Sequence, residues 1–310
     1  MEGSFLVTLQ GILGAAVRMA APLLFASMGG LFSARSGMVS MFLDGFMLVG
    51  AFMGFVGSVV TGSAYLGALL AMLAGAFIAL VFAFLAIEAK ANQTILGVGV
   101  NIFALGITSY LVTILYGFGN RPYNISVFTE APIPLLSEIP IIGGLFSNTL
   151  LVYLAFLLVP AVWYVLYRTP TGLTIRATGE HPKAVDTLGG NVVRVRYLCM
   201  LVAGALAGLG GASLSIGQMG QFMENITSGK GYIALAALIF GKFTPKGVLI
   251  AALIFGFADG LQMRMQSAGS TIPYQFLTML PYVITIVALI TFSRKSSAPA
   301  ALGRPYNRQG

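Results

Sequence analysis

The chain has 310 residues, of which 57% are hydrophobic and only 8% charged, with a mean hydropathy of +0.91. Soluble domains carry about 25% charged residues, so a soluble domain is excluded, and the recurring long apolar runs describe a polytopic helical membrane protein. The net charge of +8 fits cytoplasmic loop anchors rather than a nucleic-acid surface, and one cysteine, Cys199, with one histidine, His181, supplies neither a disulfide framework nor a metal cluster.

The first apolar stretch, 8–32, lacks a clear basic leader and an A-x-A cleavage site, so it reads as a span. Eight more crossings follow, at 38–60, 65–87, 93–116, 148–167, 197–216, 232–240, 248–263 and 273–292. The fold expected is all-α and polytopic, with about nine transmembrane helices. The 232–240 run is too short to span alone, which predicts a tilted or broken helix packed in protein. Residues 117–147 form a long external loop, where Pro122, Pro132, Pro134 and Pro140 oppose a continuous helix. Residues 217–230 read as a second outer loop, with Gln218, Gln221, Glu224 and Asn225. The spacings Gly50-x-x-x-Gly54, Gly204-x-x-x-Gly208 and Ala207-x-x-x-Gly211 put small residues on single helix faces for close packing.

Basic residues set the orientation. Arg168, Arg176, Lys183, Arg194 and Arg196 cluster in the loop 169–196 and its edges, and Arg294, Lys295, Arg304 and Arg308 mark the tail 294–310. Both segments belong on the cytoplasmic side, with Arg35, Lys90, Lys242 and Lys246. Nine crossings then leave the N-terminus outside. The membrane domain is 1–293, and the tail after it reads as disordered.

No catalytic constellation is present. Position 236, six residues before Lys242, holds Ala where a phosphate-binding G-x-x-x-x-G-K-[ST] loop needs Gly, and neither H-E-x-x-H nor a nucleophile elbow occurs. The chain is expected to be a non-enzymatic subunit that binds no cofactor. Polar groups inside the membrane are costly and often line solute paths. Asp44, Asn101, Asp259 and Gln262 are the candidates, with capping, interhelical hydrogen bonding and interfacial exposure as their open alternatives. Asp44 sits one or two turns into its helix, and Asp259 and Gln262 share a helix face.

The densest polar segment is Arg176-Ala-Thr-Gly-Glu-His-Pro-Lys-Ala-Val-Asp-Thr-Leu-Gly189, set between apolar runs. Pro182 suits the first position of a short helix ending at Gly189-Gly190. A short rigid helix outside the membrane can dock on a soluble partner and transmit motion as a rigid body.

Four blocks carry a resemblance that covers most of the chain. They are Pro22–Gly45, Ala91–Ser109, Arg176–Gly189 with Gly204–Gly211, and Gly229–Gly247 with Phe255-Gly-Phe-Ala-Asp-Gly260. In this order they resemble the permease subunits of bacterial ABC importers of the branched-chain amino acid, ribose and simple-sugar class, and within it the second permease of nucleoside importers. The resemblance implies a type II-like importer permease in the bacterial plasma (inner) membrane. It implies a second homologous permease, a cytoplasmic ABC ATPase that holds the ATP, and an external binding lipoprotein or periplasmic protein. It also implies that Gly179, Glu180, His181, Lys183, Ala184 and Gly189 contact the ATPase. Ser40 and Asp44 stand where the family commonly has Asn and Glu, which bears on the ligand. For a nucleoside path, Phe222, Tyr232 and Asn101 join Ser40, Asp44, Asp259 and Gln262 as candidates. Ribose, another sugar, riboflavin or a branched-chain amino acid is the alternative cargo, and an ion-coupled carrier is the alternative machine.

Overall fold

The computed structural model describes residues 2–117, 125–132, 143–267 and 298–306, with isolated positions between 276 and 287. The α-helices are α1 (Glu2–Arg35), α2 (Leu43–Thr61), α3 (Ala64–Ile87), α4 (Gln93–Tyr116), α5 (Leu150–Arg168), α6 (Pro170–Glu180), α7 (Pro182–Thr187), α8 (Val192–Leu214), α9 (Lys230–Phe240) and α10 (Pro245–Ser267). A π-turn, Ser215–Met219, prolongs α8. Seven helices among the described residues are long and apolar enough to cross a membrane. The short crossing expected at 232–240 is the 11-residue α9, and the one expected at 273–292 lies outside the described residues, apart from isolated positions.

Local sequence sets the helix ends. The Asn92 side chain accepts the N–H groups of Thr94 and Ile95 at the start of α4, and Asn191 accepts that of Arg194 at the start of α8. Pro170, Pro182 and Pro245 occupy first helical positions, where a missing N–H is harmless. Gly62, at φ +67°, takes the left-handed position that ends α2.

Lipid removes the hydrophobic drive between helices, so association depends on close van der Waals packing. Helix α8 supplies it. A Cβ added at Gly204 would strike the Gly75 carbonyl of α3, one at Gly208 the Ala71 carbonyl, and one at Gly211 the Met47 carbonyl of α2. Gly50 of α2 in turn faces the Gly208 backbone. The small-residue spacings are thus packing seams. In the span that includes α8, 78% of the apolar window is buried, against 22% in α4. Helix α8 is therefore central, and α4 presents Ile95, Ile102, Phe103 and Tyr110 to lipid or to another membrane subunit.

Three expectations change. Residues 170–180 form a helix, α6, that the sequence reading left without structure; its cap is Thr169, whose hydroxyl accepts the Gly172 N–H at 3.1 Å. The 217–230 segment is not wholly an outer loop. Met223, Glu224 and Asn225 are exposed, but Ile226 and Thr227 are buried against the bundle. Irregular backbone at membrane depth is tolerated when it is packed in protein. Finally, the tail is ordered over 298–306, where it packs on the end of the bundle that carries α6: the Ala301 N–H donates to the Gly179 carbonyl at 2.9 Å.

Candidate translocation and coupling sites

Helices α2 and α9 both begin inside the protein, and their N-termini meet. Arg35 ends α1 and donates from Nε to the Phe243 carbonyl at 2.8 Å, just past α9. From that level, α9 climbs roughly 15 Å to Gly231 at 1.5 Å per residue. A rise of that length, if α9 stands along the membrane normal, equals about half of a ~30 Å hydrocarbon layer. The first-turn N–H groups exposed at such a depth must find partners.

Two of the candidate residues provide them. Asp44, at the start of α2, accepts the Gly231 N–H at 2.9 Å and the Thr227 hydroxyl at 3.3 Å, so it caps α9 from another helix. Gly231 has no room for a side chain because a Cβ there would overlap the Asp44 backbone. Asn101, on α4, accepts the Gly45 N–H at 2.8 Å and so caps α2. Its Nδ2 donates to the Met41 carbonyl at 2.8 Å and to the Tyr232 hydroxyl at 2.7 Å. Asn101 is 8% exposed, whereas Tyr232 is 44% exposed. The network therefore buries its amide and presents the tyrosine ring.

The remaining candidates lie elsewhere. Ser40 is buried, bonded to the Ser33 hydroxyl at 2.8 Å and to the Gly30 carbonyl at 3.1 Å. Phe222 packs edge-on against Phe52, with centroids 5.4 Å apart, in the irregular segment that precedes α9. Asp259 forms an ion pair with Lys230 at 2.7 Å, tying α10 to the first turn of α9. Gln262 is half-buried one turn further along α10. Sequence reasoning missed Lys230 and Thr227 as partners, since nothing in their spacing places them beside Asp259 and Asp44.

At the end of the bundle where α1 stops, α6 and α7 form a hairpin hinged at His181. Gly179 is buried: a Cβ there would collide with the Arg35 carbonyl. Glu180 accepts the Ala300 N–H at 3.1 Å and approaches Arg35 at 4.0 Å. These two residues face the bundle and the tail, whereas His181, Lys183, Ala184 and Gly189 are exposed. Beside them Leu188 is 89% exposed, the most open large apolar side chain of the hairpin. It was missed because a leucine after a helical run reads as an ordinary packing residue. Gly189, at φ +81°, ends the helix as expected.

No group of three or more His, Cys, Asp or Glu residues able to hold a metal occurs among the described residues.

Comparison with known proteins gives a consistent result. A family model described as branched-chain amino acid transport system / permease component matches residues 12–289. The guanosine ABC transporter permease protein NupQ of Bacillus subtilis is 40% identical over 301 residues, covering 93% of each chain. The nucleoside ABC transporter permease protein NupC of Lactococcus lactis is 37% identical, covering 96% of this chain and 97% of that one. Among solved structures, a chain of PsaBC from Streptococcus pneumoniae has the same fold, with a TM-score of 0.51 at 13% identity and coverage of 93% and 95%.

Proposed function

We propose, from the premise that this chain belongs to the branched-chain amino acid transport system permease family, that it forms half of the nucleoside path of an ATP-driven importer. It is a multi-pass membrane permease subunit. The observation that carries the nucleoside reading is the 40% identity to a guanosine permease over nearly the whole of both chains. The partners inferred are a second homologous permease, a cytoplasmic ABC ATPase that binds and hydrolyses ATP, and an external binding protein. The chain itself is non-catalytic and holds no cofactor.

The cluster around Asn101 supports a path. A nucleoside base has an apolar face, and the exposed ring of Tyr232 suits it. Asn101 and Asp44 act behind it by holding the N-termini of α2 and α9 in place. Phe222 and the Lys230–Asp259 pair fix the irregular segment on either side. The exposed side of the α6–α7 hairpin, with His181, Lys183, Ala184, Leu188 and Gly189, offers the ATPase a rigid contact. ATP-driven closure would then move the bundle through this hairpin.

The test is uptake of labelled guanosine, uridine, ribose and leucine in cells with and without this chain, with and without collapse of the proton gradient at constant ATP. Loss of nucleoside uptake on deletion, with resistance to gradient collapse, is the expected result. Loss of ribose or leucine uptake instead would change the cargo, and sensitivity to collapse would overturn the ATP-driven reading.

A further inference from the structure

The ordered tail is tied to three separate parts of the bundle. Ala301 N–H meets the Gly179 carbonyl of α6 at 2.9 Å, and Ala300 N–H meets the Glu180 carboxylate at 3.1 Å. Gly303 N–H meets the Gly37 carbonyl, past the end of α1, at 2.9 Å. The third tie is a buried cation. Arg196, 2% exposed at the start of α8, donates from Nη1 to the Arg304 carbonyl at 3.2 Å and from Nε to the Ser36 carbonyl at 3.3 Å. Hydrogen bonds from charged donors are roughly twice as strong as neutral ones, and this one grips the tail backbone directly. Within the segment, Pro299 and Ala301 are buried.

The consequence is a groove. One wall is His181, Lys183 and Ala184 of the hairpin, and the other is Arg304, Pro305 and Tyr306 of the tail. Arg304 and Pro305 are exposed, as are His181 and Lys183. The Glu180 carboxylate, also at the groove, is engaged by the Ala300 N–H and lies near Arg35. The groove therefore offers one basic side chain on each wall, Lys183 and Arg304, and the exposed Leu188 follows Ala184 by one turn on the hairpin.

We propose that residues 298–306 and α7 together make one composite docking surface for the ATPase subunit. The part of the ATPase that fits it is an acidic-rimmed cleft with an apolar recess for Leu188. The charge on the groove walls selects the first feature and the bare leucine the second. This inference rests on the hairpin's being the ATPase contact. It adds that the hairpin alone is an incomplete contact, because the tail supplies the second wall.

The experiment uses the assembled permease pair in nanodiscs and the purified ATPase, with Kd measured by surface-immobilised binding. Arg304→Glu and Pro305→Glu alter exposed side chains without touching the tail's backbone ties, and Lys183→Glu serves as the hairpin reference. The expected result is a rise in Kd of tenfold or more for all three variants, and more than tenfold slower ATP-driven uptake. Wild-type affinity in both tail variants, with Lys183→Glu weakened, would overturn the composite surface and leave the hairpin contact standing. Wild-type affinity in all three would remove the hairpin contact, and this inference with it.

Discussion

Replacing Asn101 by leucine tests the network around this amide most directly. Leucine keeps the branched outline of asparagine but carries bulkier methyls, so no cavity is created and any crowding adds to the loss. Three hydrogen bonds disappear: those to Gly45 N–H, the Met41 carbonyl and the Tyr232 hydroxyl. Interhelical hydrogen bonds in membranes average about 0.6 kcal/mol and reach about 1.7 kcal/mol. Three of them sum to roughly 2–5 kcal/mol on that scale. The upper half of the range is expected, because the Gly45 N–H is a helix-end group with no water to replace its partner. Tyr232→Phe removes only one of the three bonds and should cost about 1 kcal/mol. Unfolding of the purified chain in mixed micelles, followed by circular dichroism against denaturant, measures both variants. A double-mutant cycle should give a coupling of at least about 0.5 kcal/mol. The reasoning is refuted if Asn101→Leu is as stable as the parent, or if the two substitutions add without coupling.

Other outcomes follow from neighbouring contacts. Gly208→Ala should destabilise by about 1–3 kcal/mol in the same unfolding measurement, since the new methyl meets the Ala71 carbonyl rather than a movable side chain. Lys230→Met should cost about 1–3 kcal/mol by leaving the part-buried Asp259 unpaired, and Lys230→Met with Asp259→Leu should recover most of it; equal costs for single and double variants would count against the pair. Leu188→Asp should leave stability within about 0.5 kcal/mol, because the side chain is 89% exposed, yet slow ATP-driven uptake at least tenfold.

Periodicity and composition revealed much of this architecture because lipid demands long apolar runs, and those are visible residue by residue. The expected spans at 38–60, 65–87 and 93–116 lie within a few residues of α2, α3 and α4. The short helix before Gly189 was legible too, since Pro182 and Gly189 punctuate it. Helix α6 was not, because Thr171, Gly172 and Thr174 disfavour a helix in isolation; packing of Gly172 against the α5 backbone overrides that preference. The role of Asp44 was only half visible. Its cost in a membrane marked it as important, but its partners, Thr227 and Gly231, lie far away in the chain. The tail shows the same limit. Ser-Arg-Lys-Ser-Ser-Ala-Pro has the composition of a disordered segment, yet the residues just beyond it are held by carbonyls and a cation on three other elements.

The glycine seams along α8 constrain how this subunit can move. Where side chains interdigitate, helices slide by exchanging rotamers. Where backbone rests on backbone, as at Gly50 with Gly208 and Gly75 with Gly204, there are no rotamers to exchange. Sliding by one residue would drive a Cβ into a carbonyl. Helices α2, α3 and α8 are thus locked in register and are expected to move as one block. If the proposed importer reading holds, a path would open along the surface this block shares with a second permease, while the inside of the subunit stays as it is.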